Sequence, residues 1–218
     1  MNPLERTLVD QDWISVVLFL SLLVLTLGKF LYHNRFLNFL VLPFNDKYLL
    51  FHSKKGPWTG WFQILLSLFQ LLNLSLFVFL SLKAFGALPE APPRGSFFFI
   101  LGSLALFLIA KAALQAFTGY VFNAQDMIKN LIFSKLSYLN HSGLILFLAN
   151  LCLTYILVDS KTLIYITIIL FVIINGLGAI KLLKHHQKAM FPYFMYFILY
   201  LCALEIAPLV LIGSYLKG

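Results

Sequence analysis

Between Trp13 and Tyr32 the chain runs for twenty residues with a single charge, Lys29, and blocks of this kind recur to the end of the sequence. Twenty apolar residues in a helix rise about 30 Å, the thickness of the hydrocarbon layer of a bilayer. Further blocks cover Gly60 to Leu82, Ser96 to Phe117, Ser142 to Val158 (or a tilted helix that starts earlier), Thr162 to Ile180 and Pro192 to Leu211. A backbone with no water around it must satisfy its own polar groups, which such blocks do as helices. The expected fold is all-α, a polytopic membrane helix bundle of about six transmembrane helices forming one domain over residues 1–218. Composition agrees: 61% of the 218 residues are hydrophobic and 11% are charged, against about 25% charged in soluble domains.

Punctuation supports the breaks. Pro89, Pro92, Pro93 and Gly95 separate the second block from the third. Asp159, Ser160 and Lys161 make a short polar turn, so blocks four and five form an antiparallel hairpin. Pro192 suits the first turn of the sixth helix. Residues Met1 to Asp12 lack the basic start and small-residue cleavage site of a secretory signal, so the first block is expected to stay as a span.

The formal net charge is +8, and the basic residues sit at the ends of apolar blocks. That placement points to topology and lipid headgroups, not to nucleic acid, since no basic stretch is interleaved with stacking aromatics. Lys29, Arg35, Lys47, Lys54, Lys55, Lys111, Lys129, Lys135, Lys181, Lys184 and Lys188 fall on one side. Arg6, Lys83, Arg94, Lys161 and Lys217 fall on the other. The excess makes loops one, three and five cytoplasmic and turns both termini outward. Lys54 and Lys55, and the cluster Lys184, His185, His186 and Lys188, suit anionic lipid phosphates.

Two cytoplasmic stretches carry amphipathic patterns. From Arg35 to Trp61 apolar residues such as Phe36, Phe39, Leu42 and Phe51 mix with polar ones, and Trp58 and Trp61 read as interfacial anchors. From Ala124 to Leu136, Met127, Ile128, Leu131, Ile132 and Leu136 recur at helical spacing opposite Gln125, Lys129 and Lys135. Both are expected as short interfacial segments, lying on lipid or docking a protein partner.

One acidic residue, Glu205, lies in the run from Phe191 to Leu211. A charged side chain at the bilayer centre costs about 2.5–3.5 kcal/mol on insertion scales. Pro208 leaves the carbonyl of Leu204 without its helical partner, and Cys202 shares the glutamate's face. Lys111, with Gln115 one turn on, is the candidate counter-charge across a depth gap on the order of 10 Å. Reaching down to the headgroups is its competing role. Gln70, Asn73, Asn150 and Asn175 complete the candidate polar site, either as ties between helices or as the lining of a hydrated path.

Motifs for catalysis are missing. His185 and His186 are adjacent and cannot share a helix face as a metal pair. His33, His52 and His141 stand alone and read as interfacial, and Cys152 and Cys202 as small buried hydrophobes. No Gly-rich phosphate loop, nucleophile elbow or carboxylate cluster occurs, and neither a metal nor a cofactor is expected.

The stretch Phe197-Ile198-Leu199-Tyr200-Leu201-Cys202-Ala203-Leu204-Glu205-Ile206-Ala207-Pro208-Leu209 resembles the closing signature of a family of small multi-span proteins from Bacteroidota, catalogued as a domain of unknown function. The Asp12-Trp13 entry, Lys111 in the third helix and a chain end soon after the glutamate extend the likeness. It implies a Gram-negative inner membrane and a single six-helix domain, and it supplies no activity. The function classes that remain are an accessory or scaffold subunit of an envelope assembly and a small-solute or proton-coupled transporter using Glu205. An enzyme acting on lipid or isoprenoid would need a lateral opening lined by Glu205, His141 or Lys111.

Overall fold

The computed structural model describes residues 12–42, 60–88, 94–121 and 125–190, without the side chains of 118, 119, 125–128, 130, 131, 179 and 182–190. The chain divides into two compact units, Met1–Gly178 and Ala179–Gly218, and the packing below is that of the first. Among the described residues the secondary structure is helical: α1 (Asp12–Leu31), α2 (His33–Leu40), α3 (Trp61–Ala84), α4 (Arg94–Val121), α5 (Gln125–Tyr155) and α6 (Lys161–Met190). Five of these, all but α2, contain a stretch long and apolar enough to cross a membrane. The sixth expected span, Pro192 to Leu211, lies outside the described residues.

Helix ends are chemically marked. At the end of α3, Ala87 N–H donates to Leu82 and Gly86 N–H to Lys83, while Gly86 takes φ +73°. This is the Schellman closure, and its left-handed position is where a side chain would be strained. Asp159, at φ 57°, turns the α5–α6 connection. Ser160 then caps α6, its hydroxyl accepting from the Leu163 N–H at 3.5 Å.

Successive spans alternate in direction. Trp13 at the start of α1 stacks on Phe79 near the end of α3 and on Phe97 at the start of α4, with centroids 5.1 and 5.2 Å apart. At the other end, Tyr32 meets Phe62 at 5.6 Å. Helix α3 packs against α1, α4 and α5. Accordingly 56% of its spanning window is buried, against 6% for α4 and 17% for α6. The outward faces of those two carry Phe99, Leu106, Ile109, Ile169 and Val172, as a lipid-facing surface requires.

Two expected features take a different form. The stretch Ala124 to Leu136 does not stand as a separate short helix. From Gln125 on it is the beginning of α5, because no proline interrupts the residues up to Tyr155. Its Ile132 and Phe133 are buried in protein. The segment after Tyr32 does form a short helix, yet Phe36, Phe39 and Leu42 turn inward onto Phe62, Leu66, Phe133 and Tyr138. Leu37, Leu40 and Val41 face outward. Trp61 is 74% exposed at the start of α3.

The buried residues form two apolar clusters. One joins Ile14, Leu18, Leu76, Phe79, Phe97 and Leu153 among others, and the second joins the α2 residues to the beginnings of α3 and α5. Because lipid is as apolar as a leucine side chain, these clusters act through close packing more than through removal from water. Phe97→Ala is therefore expected to lower stability by about 3 kcal/mol, the low end for deleting a buried phenyl group. Phe99→Ala, at a site 79% exposed, should change it by less than about 0.5 kcal/mol. Reversible unfolding of the two variants in mixed micelles checks both figures.

Candidate functional site

Gln63, Ser67, Gln70 and Asn73 recur on α3 at spacings of four, three and three, so they share one face. Asn140, Gly143, Asn150 and Thr154 share a face of α5 by the same rule. These faces meet. The Asn140 amide donates to the Ser67 hydroxyl at 3.2 Å. The Asn150 amide donates to the main-chain carbonyl of Asn73 at 2.9 Å and approaches that residue's Oδ1 at 3.5 Å. Between these ties Gln70 lies on Gly143, where an added Cβ would collide with the Gln70 carboxamide and meet its Cα at 3.3 Å. Residue numbers rise together along both helices, so α3 and α5 run parallel, as spans separated by one intervening helix must.

Hydroxyls and amides divide the work. Ser75, Ser137 and Ser142 donate to carbonyls three or four residues back on their own helices, at 2.7, 2.7 and 2.6 Å. A short side chain in a helix has that acceptor in reach, so the serines are satisfied locally. The longer amides reach a neighbour. Asn73 does both: its Nδ2 donates to Phe69 at 2.8 Å while its carbonyl accepts from Asn150. Gln70 is 1% exposed, and neither of its carboxamide atoms has a protein partner among the described residues.

The structure brings Gln70, Asn73 and Asn150 into this single seam. Asn175 instead donates to Phe171 of its own helix at 2.8 Å. Gln115 is buried on α4, and Lys111 is half-buried one turn before it. Glu205, Cys202, Lys54 and Lys55 lie outside the described residues. Lys184, His185, His186 and Lys188 belong to the final turns of α6, without described side chains.

Ser67, Asn140 and Gly143 join the site without standing out in the sequence, where only the spacing of Ser67 from Gln63 and Gln70 hints at one of them. His141 is expected from the sequence to be interfacial. The ring is half-buried inside the α5 span and stacks edge-on to Phe39 at 5.4 Å. It also hydrogen-bonds the Phe39 main chain, which ties α2 to α5. Gly178 admits a second close approach, since a Cβ there would strike the Tyr138 ring of α5. Among the described residues no three His, Cys, Asp or Glu side chains group closely enough to hold a metal ion.

The family model described as "Domain of unknown function (DUF4271)" matches residues 14–216, and the chain belongs to that family. Neither a curated protein nor a solved structure matches it.

Gly143→Ala forces the new methyl group into Gln70 and is expected to cost about 1–3 kcal/mol, as overpacking does. Gln70→Ala in the same chain should return at least about 0.5 kcal/mol of that loss, the coupling expected of residues in contact. Gly176→Ala, inside α6 where nothing lies within 4 Å, should cost nothing and stabilise by up to about 1 kcal/mol. A double-mutant cycle on unfolding free energies reads all three.

Proposed function

We propose that this protein is a non-enzymatic subunit of an inner-membrane assembly, acting as an accessory or scaffold. The observation that carries the reading is the use made of its buried amides. Asn140 and Asn150 are spent on tying one helix to the next, which is how polar side chains fix a bundle in lipid. Orientation belongs to the same proposal. Helix alternation sets Lys29, Arg35, Lys129 and Lys135 at one end and Lys83, Arg94 and Lys161 at the other. In the sequence Lys54 and Lys55 belong to loop one and Lys184, His185, His186 and Lys188 to loop five, so this reading makes loops one, three and five cytoplasmic, gives them the anionic-lipid contacts and points both termini outward. The outward row Leu37, Leu40 and Val41 on and after α2 is the side offered to a protein partner.

A second reading, proton-coupled or small-solute transport, draws on a different observation: the seam holds amide atoms that no described protein group satisfies. In that reading Glu205 is the protonatable site, Lys111 its candidate counter-charge, and Gln70, Asn73, Asn150 and Asn175 the lining.

Affinity purification of the full chain at native abundance separates the two. The scaffold reading expects a partner in fixed stoichiometry, and a solitary monodisperse monomer would count against it. Glu205→Gln in proteoliposomes gives the converse. Intact folding with loss of flux driven by a pH gradient selects transport. A variant whose helices no longer hold together selects a structural role for the glutamate, since an intramembrane carboxylate that loses its charge gives up its ionic partner.

A further inference from the structure

Beyond the tied amides, hydrogen-bonding atoms without a protein partner among the described residues collect on the same seam. They are both carboxamide atoms of Gln70, Oδ1 of Asn140, Oδ1 of Asn150 and Oγ1 of Thr154. All four residues are at least nine-tenths buried. On α5 the stripe runs from 140 to 154, a rise on the order of 21 Å, about two-thirds of the hydrocarbon thickness. Hydrocarbon offers nothing to bond, and polar atoms shut away in it without a partner are costly.

Protein groups among the described residues do not supply the remedy. Ser75, Ser137 and Ser142 turn back to carbonyls of their own helices, but the Gln70 carboxamide lies over Gly143, against a helix backbone already engaged in its own hydrogen bonds. A bound cation would need several oxygens converging on one point, whereas these oxygens are strung out along the helix axis. What fits a row of separated donors and acceptors is a small molecule that both donates and accepts. We infer that ordered water molecules occupy the α3–α5 seam, bridging the Gln70 carboxamide to Asn140 on one side and serving Asn150 and Thr154 on the other. A water with two to four polar partners is retained as part of the structure. The inference rests on neither functional reading, because a wet seam is compatible with a fastened bundle and with a path.

X-ray radiolytic footprinting of the full chain in lipid nanodiscs tests it, since hydroxyl radicals form from bound water in place. The reporter is Phe69, fully buried, whose ring packs at 5.9 Å from Phe147 in the stretch between Gln70 and Asn150. Phe79 and Phe97, each 1% exposed in the apolar cluster around Trp13, are the dry references. Phe69 is expected to oxidise at least roughly threefold faster than either reference, as a ring beside retained water would. Gln70→Met should bring it down to the reference rate. Equal rates for the three rings in the unaltered protein overturn the inference, and that comparison needs no variant. A fast Phe69 that ignores Gln70→Met overturns the bridging by Gln70. If Gln70→Met does not fold, Asn150→Leu takes its place with the same expectation.

Discussion

A polar group inside a bilayer has no solvent to fall back on, and every described element answers to that constraint. The backbone answers it with helices, and Ser75, Ser137 and Ser142 answer it with bonds to carbonyls a turn behind. Two of the amides reach a neighbour instead. Asn140 and Asn150 find theirs on α3, and this fixes which two spans lie side by side. Because the two are parallel, α4 must return between them. The order of the central helices thus follows from where a few carboxamides are satisfied.

Around that seam the packing is largely aromatic, with Phe69 on Phe147 midway and larger ring groups at the two ends. Trp13, Phe79 and Phe97 close one end, while Phe39, Phe62 and Phe36 with His141 close the other. Large rigid rings gain dispersion contacts that flexible lipid tails cannot match, which is the advantage left to protein packing in lipid. Glycine works in the opposite direction. Gly143 and Gly178 remove bulk where Gln70 and Tyr138 must come close. Large rings at the ends and missing side chains at the crossings are two parts of one packing solution.

The spans were legible because their signal is length. Trp13 to Tyr32, Gly60 to Leu82 and Ser96 to Phe117 correspond to α1, α3 and α4 with ends displaced by one to four residues. Those displacements follow from capping: α3 runs on to Ala84 since Gly86, and not the prolines beyond, closes it. The start of α5 was not legible in the same way. Its first turns are amphipathic and its later ones apolar, so one helix reads as two. For the site, Gln70, Asn73 and Asn150 stood out as amides in apolar runs. Ser67, Asn140 and Gly143 did not, since the contacts of Asn140 with Ser67 and of Gly143 with Gln70 follow only from the register of two helices a span apart. Asn175 shows the converse, because an amide in an apolar run also has a solution on its own helix.

That register is what the amides specify. Apolar faces of two helices in lipid slide past one another at little cost, as one leucine ridge resembles the next and lipid resembles both. Sliding α5 by one turn against α3 would take Asn150 away from the Asn73 carbonyl and Asn140 away from Ser67 together. It would also carry Gly143 off Gln70 and set a side chain against that carboxamide. Two hydrogen bonds and one steric fit would be lost in a single step, so the observed pairing stands apart from its neighbours by more than any contact alone provides. Buried polar residues that lock register in this manner are the best-attested case of polarity traded for specificity. A bundle locked along its centre, with α4 and α6 left broadly open to their surroundings, holds its shape while presenting two helical faces to whatever lies beside it in the membrane.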